Sequence, residues 1–407
     1  MAPRIGQVVC RLMGAAALAG CAAIETADNI EPVAEGRGYQ AQYRALAYPP
    51  ANFLQAEEIN ARSCRSPDGA VAAEGAAGKL GARLPEVLRG EVLSRGDLLD
   101  LRLPDEETFS GEYVISRDGT LKVPYLSPIP AQGRSAASVA ADIRQGLVAG
   151  GYYDDRPDVS LLVLDFASAR IGVSGAVFDP NPVDIGGVPG DAVDARRQAA
   201  RGSSTEGRNL SVALRSAGGI RPDADLSAVR LTRAGTNYVI DLRGAIEGRA
   251  FEDVMLLAGD EIYVPSRFCF QDALMKPSPI SPPGISLYLS NLTQPATGNA
   301  PSAIGQTVRE VPYGTRYMQA VIDANCVGGA RATSADRSAA LFTRNPMTGV
   351  SAVIERPIEE MRARPDRDDY DPYLLPGDAI ACYDSGVTNL GEIGRVLGVF
   401  TAGALIP

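Results

Sequence analysis

The sequence predicts an α+β fold in several pieces, and two observations carry that reading. The first is Arg95–Pro124, where short apolar strands alternate with turn pairs before a helix and one further strand. The second is an internal repeat of strand, helix and strand pair, each copy ending in Leu-Leu-x-Gly-Asp and a last strand. Self-similarity of that kind marks repeated supersecondary units rather than one large core.

The lead unit opens on Gly96-Asp97 and runs into Leu98, Leu99, Leu101 and Leu103, a short apolar strand. Ser110-Gly111 predicts a turn into Glu112-Tyr113-Val114-Ile115-Ser116, and Asp118-Gly119 a second turn into Thr120–Val123. Asp-Gly between β-prone runs is a strong hairpin signal, because a tight turn needs φ > 0 at its centre. Pro124 lacks an N–H and ends that strand. Ser135 or Ser138 caps a helix with Val139, Ile143 and Leu147 on one face, and Val159–Phe166 is the closing strand.

That order resembles the periplasmic domain of the bacterial polysaccharide export family, outer-membrane lipoproteins through which capsule and exopolysaccharide leave the cell. The residues that carry the resemblance are Gly96, Asp97, Ser110-Gly111-Glu112-Tyr113, Asp118-Gly119-Thr120, Pro124 and the helix-strand pair Ile143–Val163. Their order and spacing form the signal; each short piece alone is weak. The resemblance implies a transport protein, not an enzyme, with no cofactor and no metal.

Composition narrows the function independently. A net charge of −10 over 407 residues supplies no basic stripe, so no nucleic-acid partner is expected. His and Trp are both absent. Without His there is no Ser–His or Cys–His nucleophilic site and no His-containing zinc site. Carboxylate catalysis would need two close acids; Asp105-Glu106-Glu107 and Asp366–Asp371 read instead as solvated loops.

Residues 1–20 read as a lipoprotein signal peptide. Arg4 and Arg11 give the positive start, Leu12–Ala19 the apolar core, and Leu18-Ala19-Gly20-Cys21 the end. Leu-Ala-Gly-Cys resembles the bacterial lipobox, which makes Cys21 the lipidated N-terminus. Ala22 after it favours the outer membrane, by analogy with lipoprotein sorting. Acyl chains at roughly 0.8 kcal/mol per buried CH₂ anchor firmly once more than one is present. Residues 21–90 read as an anchor and linker region: Asn52–Ala61 can make a short helix, and Pro67–Gly81 looks like linker.

After the lead unit, 91–168, come two copies of the second grammar. In 169–266, Ile171–Phe178 is a strand and Leu210–Ala217 a helix ended by Gly218-Gly219. Ala228–Thr232 and Tyr238–Asp241 pair across Ala234-Gly235, and Leu256–Pro265 closes the unit. In 267–386 the counterparts are Ile285–Thr293, Tyr317–Asn325, Ala339–Thr343 with Ser351–Glu355, and Leu374–Cys382, preceded by a Pro-rich insert, Lys276–Gly284. Both copies resemble the soluble-ligand-binding β-grasp domains that follow the export domain in this family; the second is the more divergent. Cys64, Cys269, Cys326 and Cys382 suit an oxidising periplasm. Four cysteines allow three pairings. Cys326–Cys382 is favoured, because one lies at a helix end and the other in the closing strand of the same unit. Two buried free thiols, or Cys269 taking one of these partners, are the alternatives.

Residues 387–407 read as a C-terminal membrane helix. About 18 residues at 1.5 Å each give roughly 27 Å, near the hydrocarbon thickness. Leu390, Ile393, Leu397 and Phe400 share one face, and Gly391, Gly394 and Gly398 make a small-residue stripe beside it. The alternative is an ordinary helix packed on the last domain. Family members of the best-understood type build a ring of such helices, a transmembrane helical barrel, from a homo-oligomer. The resemblance therefore implies a polysaccharide substrate, a homo-oligomeric ring in outer-membrane lipid and an inner-membrane polysaccharide co-polymerase. A second reading is a lipid-anchored periplasmic adaptor that binds glycan or a partner protein while a separate β-barrel supplies the pore.

Overall fold

The computed structural model describes residues 31, 38–45, 55–68, 84–104, 106–186, 206–291, 308–324 and 338–383. The chain divides into two bodies, residues 63–283 and residues 1–62 with 284–407.

In the first body, β1 (Leu98–Leu103) lies between β2 (Glu106–Val114) and β5 (Ser160–Asp165), antiparallel to both. Strand alternation turns Leu99, Leu101 and Leu103 to one face. They meet Val139, Ile143 and Leu147 of helix Ala136–Ala149, and none of the six is more than 5% exposed. Ser135 is the cap, its hydroxyl accepting the Ser138 N–H. At the other end, Gly151 and Tyr152 donate back to the Val148 and Leu147 carbonyls, both at 3.0 Å. This is the paired closure that satisfies the last carbonyls of a helix.

Two turn expectations are corrected. Ser110-Gly111 is not a turn: it lies inside β2, with Gly111 opposite Leu101, and the hairpin reverses between Leu103 and Glu106. The register breaks between Leu101 and Leu103, where the Ser110 hydroxyl takes the Leu103 N–H at 3.0 Å. The same small polar residues that suit a turn also suit a bulge. Asp118-Gly119 does turn, with Gly119 at φ +78°. The strand it feeds, β3 (Thr120–Leu121), pairs with β4 (Ile129–Pro130) rather than back onto β2.

The same body continues into a five-stranded mixed sheet. Its strands are β6 (Ala169–Gly175), β7 (Pro182–Ile185), β8 (Val229–Arg233), β9 (Thr236–Ile240) and β10 (Glu261–Val264), in the order β7-β6-β10-β8-β9. β6 and β10 run parallel at the centre. Helix Leu210–Ser216 buries Leu210, Ala213 and Leu214 completely against it. Gly219, just past the helix, has φ +80°, and a Cβ there would sit 2.2 Å from the Pro282 nitrogen. Ala234 (φ +48°) and Gly235 (φ +79°) make the tight β8–β9 turn. Cys64 is disulfide-bonded to Cys269, a pairing that the sequence reading did not favour and that removes Cys269 as a partner for Cys326 or Cys382.

The second body has the same plan. β11 (Ile285–Asn291), β12 (Val308–Val311), β13 (Ser338–Arg344), β14 (Ser351–Pro357) and β15 (Ala379–Tyr383) stand in the order β12-β11-β15-β13-β14, with β11 parallel to β15. Ile262 pairs with Val173 and Leu231 in one sheet as Ile380 pairs with Leu289 and Leu341 in the other. The repeat is therefore in register residue by residue.

This body also takes in the segment before residue 63. A 3-10 turn, Ala41–Tyr43, and helix Gln55–Arg62 pack on it. The first two amides of that helix, Gln55 and Ala56, donate to Asp369 at 2.8 and 2.9 Å. The Asp366–Asp371 run is accordingly no solvated loop. Asp366 is buried against Arg364 at 2.6 Å, Asp369 caps a distant helix, and Asp371 takes the Met318 N–H. Buried acids must find partners of this kind.

Cys382 is buried and disulfide-bonded; Cys326, its expected partner, lies outside the described residues. So do Cys21 and the C-terminal stretch with Leu390, Gly391, Ile393, Gly394, Leu397, Gly398 and Phe400. Among the described residues no helix is long and apolar enough to cross a membrane.

Candidate functional site

The Gly-Asp pair recurs as one local structure. Gly96, Gly259 and Gly377 have φ of +92°, +96° and +90°, values that a residue with a Cβ reaches only with strain. Each following Asp accepts the N–H of the residue three before it: Ser94 to Asp97 at 2.7 Å, Leu257 to Asp260 at 2.9 Å, and Leu375 to Asp378 at 2.8 Å. All three carboxylates are buried, at no more than 2% exposure. A buried carboxylate needs further donors, and the three hooks find them differently.

Asp97 finds its charged donor in the next unit. Its Oδ1 takes the Arg208 guanidinium at 2.7 Å and the Ala167 N–H at 3.0 Å. Arg208, 1% exposed, also donates to the carbonyls of Leu256, Val92 and Ala167. Burial pushes the Asp97 carboxyl up, while Arg208 and the two backbone amides pull it down. A planar guanidinium presents donors in a fixed fork, so one side chain ties strand, loop and sheet together. Gly96 lets the chain approach: a Cβ on it would meet Ala167 Cβ at 2.9 Å. Asp260 is held within its own sheet by Arg233, at 2.7 Å. No arginine or lysine pairs with Asp378 among the described residues.

The lead unit also shows an aromatic cluster. Phe109, 4% exposed, meets Tyr152 edge-on at 5.3 Å and Tyr125 at 6.3 Å between ring centroids. Tyr125 is 74% exposed and Tyr152 44%. Tyr125 follows Pro124 with φ +65°, a conformation that bulky residues seldom adopt. Tyr152 is delivered by the helix closure at Gly151. Tyr113 is half-buried, its hydroxyl donating to the Phe109 carbonyl at 2.9 Å. The motif residues thus separate: Gly96 and Asp97 build the joint, Tyr113 bonds to Phe109 of the aromatic cluster, and Pro124 precedes its Tyr125. Gly111 lies in the bulge, and Asp118-Gly119 forms the β3 turn. Asp118 accepts from the Thr120 hydroxyl and N–H, which with Lys122 hold its carboxyl at about 2.

Residues 87–164 match the family described as polysaccharide biosynthesis/export protein, and residues 198–264 match the SLBB domain. The resemblance to the polysaccharide export family is thus carried by residues 87–164. It is 27% identical over 194 residues to the EPS I polysaccharide export outer membrane protein EpsA of Ralstonia nicotianae. It is 29% identical over 194 residues to the protein of that name from Ralstonia solanacearum. In both comparisons 46% of this chain and 46% of the relative are covered, so the match spans under half the length of the curated relatives. The family is one of transport rather than of catalysis.

Asp97 lies in the export-domain match and Arg208 in the SLBB match. The ion pair therefore joins the two family domains. Arg208 stands in the polar run Gly186–Arg208, and nothing in its sequence context marks it as the partner of an acid 111 residues away.

Proposed function

We propose that this chain is an outer-membrane lipoprotein that assembles as a homo-oligomeric channel for capsular or exopolysaccharide export. The observation that carries the reading is the export domain and the first SLBB domain built into one body and joined through Asp97 and Arg208. Two domains joined in this way suit repetition around a ring. In this reading Cys21 carries the lipid, and a closed ring of helices from residues 387–407 spans the outer membrane. An inner-membrane polysaccharide co-polymerase hands over the polymer. The exposed rings of Tyr125 and Tyr152 supply a flat, amphipathic surface for passing sugar rings.

Electron microscopy of the full-length lipoprotein in detergent, beside a version ending at Gly386, tests the channel. A closed ring with a membrane collar that vanishes on truncation supports it. Rings unchanged by truncation and lacking a collar would instead make the chain a periplasmic adaptor with a separate β-barrel as the pore.

A further inference from the structure

The three Gly-Asp hooks differ in what faces their carboxylates. By the shared register, Thr343 stands in the second sheet where Arg233 stands in the first, two residues beyond Leu341 and Leu231. Arg233 reaches Asp260; Thr343 hydrogen-bonds Asp378 and brings no charge. The position is completed from elsewhere in the chain. The Tyr43 hydroxyl lies 3.2 Å from Thr343 Oγ1, and Gln40 Nε2 donates to that hydroxyl, also at 3.2 Å. Gln40 then pairs with the backbone of Tyr373, donating to its carbonyl at 2.7 Å and accepting its N–H at 2.9 Å. Gln40, Tyr43 and Thr343 are all buried.

We infer that residues 40–44 form a proton-dependent strap on the second β-grasp unit, docked through Tyr43 and Thr343 onto a carboxyl, Asp378, that is more readily protonated with the strap in place than with it lifted. A buried carboxylate facing only neutral donors is costly to ionise. The groups around it are few. The strap contributes Tyr43; Glu31, outside the strap, acts on Tyr43 and accepts from the Asn345 amide at 2.8 Å. β13 contributes Thr343, and the hook contributes the Leu375 N–H. Arg344 is engaged at the Gly349 carbonyl, and Arg356 with the strap carbonyls of Gln42, Tyr43 and Arg44. Among the described residues no cation pairs with Asp378 in the way that Arg233 pairs with Asp260.

Burial raises the Asp378 carboxyl from 3.8 to about 7. If the strap lifts and water reaches the carboxyl, it returns toward its ordinary value. The docked state then binds the extra proton, so docking is strongest at acid pH. It weakens as pH rises between these two values, by at most about tenfold per unit, and changes little above them.

Hydrogen exchange of the full chain, read on peptides covering residues 40–44 and corrected for intrinsic rates against export-domain peptides, tests this. Opening of the strap should be up to about a hundredfold more frequent at pH 8 than at pH 5. Asp378→Asn, which cannot ionise, should flatten that profile; so should Thr343→Arg, which restores the missing guanidinium. If neither variant folds, infrared titration of the wild-type chain provides the second reading, and a protonated carboxyl band disappearing near neutral pH is expected. A wild-type profile with no pH response, a response that survives both substitutions, or no such band would overturn the inference.

Discussion

Asp97 and Arg208 meet at 2.7 Å with neither side chain more than 1% exposed, one from each of the two matched domains. Breaking such a pair leaves a charge in the interior, which costs more than the pair itself contributes. Arg208→Ala should destabilise the 63–283 body by about 3–5 kcal/mol in urea unfolding. The double substitution Asp97→Asn with Arg208→Met should cost clearly less than the two single changes added together. Strict additivity would mean that the two residues are not coupled.

Asp369 caps helix Gln55–Arg62 across 314 residues of sequence. Asp369→Ala should therefore lower the stability of that helix by about 1 kcal/mol, the usual worth of a capping side chain. Exchange protection of peptides from residues 55–62 should fall while that of the export domain holds. Equal loss in both would point to a global effect rather than a cap.

Gly219 and Gly235 share the same backbone sign but not the same surroundings. At Gly235 nothing lies within 4 Å of an added Cβ, whereas at Gly219 the Pro282 backbone lies at 2.2 Å. Gly235→Ala should cost about 1 kcal/mol from its left-handed φ alone. Gly219→Ala should add a further ~1–3 kcal/mol of overpacking. Two thermal melts decide it, and equal shifts would show that the close approach is relieved.

Tyr125 and Tyr152 extend from the export domain, whereas Phe109 beneath them is core. Replacing both tyrosines with Ala should leave thermal unfolding close to wild type yet reduce polymer released by cells. Phe109→Ala should instead lower stability by about 3–5 kcal/mol. Normal export with both tyrosines removed would take the polymer-contact role from them.

What the sequence disclosed was local. The helix with Val139, Ile143 and Leu147, the Ala234-Gly235 hairpin and the repeated Leu-Leu-x-Gly-Asp each follow from residues within a few positions of one another. Where one local rule serves two structures the reading slipped: Ser110-Gly111 suits a bulge as well as a turn. The long-range partners were invisible for a different reason. Cys64 and Cys269 are 205 residues apart, and Tyr43 and Thr343 are 300 apart. No periodicity links such pairs; only the folded sheet brings them together. The acids of Asp366–Asp371 misled because charge usually means solvent, and here it means arginines and helix amides.

The packing of Ala41–Tyr43 and of helix Gln55–Arg62 within the second body sets an order of events during synthesis. Tyr43 leaves the ribosome 300 residues before Thr343. At 5–20 residues per second it waits on the order of 15–60 s for its site to exist. The 63–283 body has all its strands in hand well before then. A chain interrupted near residue 283 should therefore carry a finished 63–283 body behind a leading segment with nowhere to dock. A holding factor could recognise that segment, or a protease could cut it.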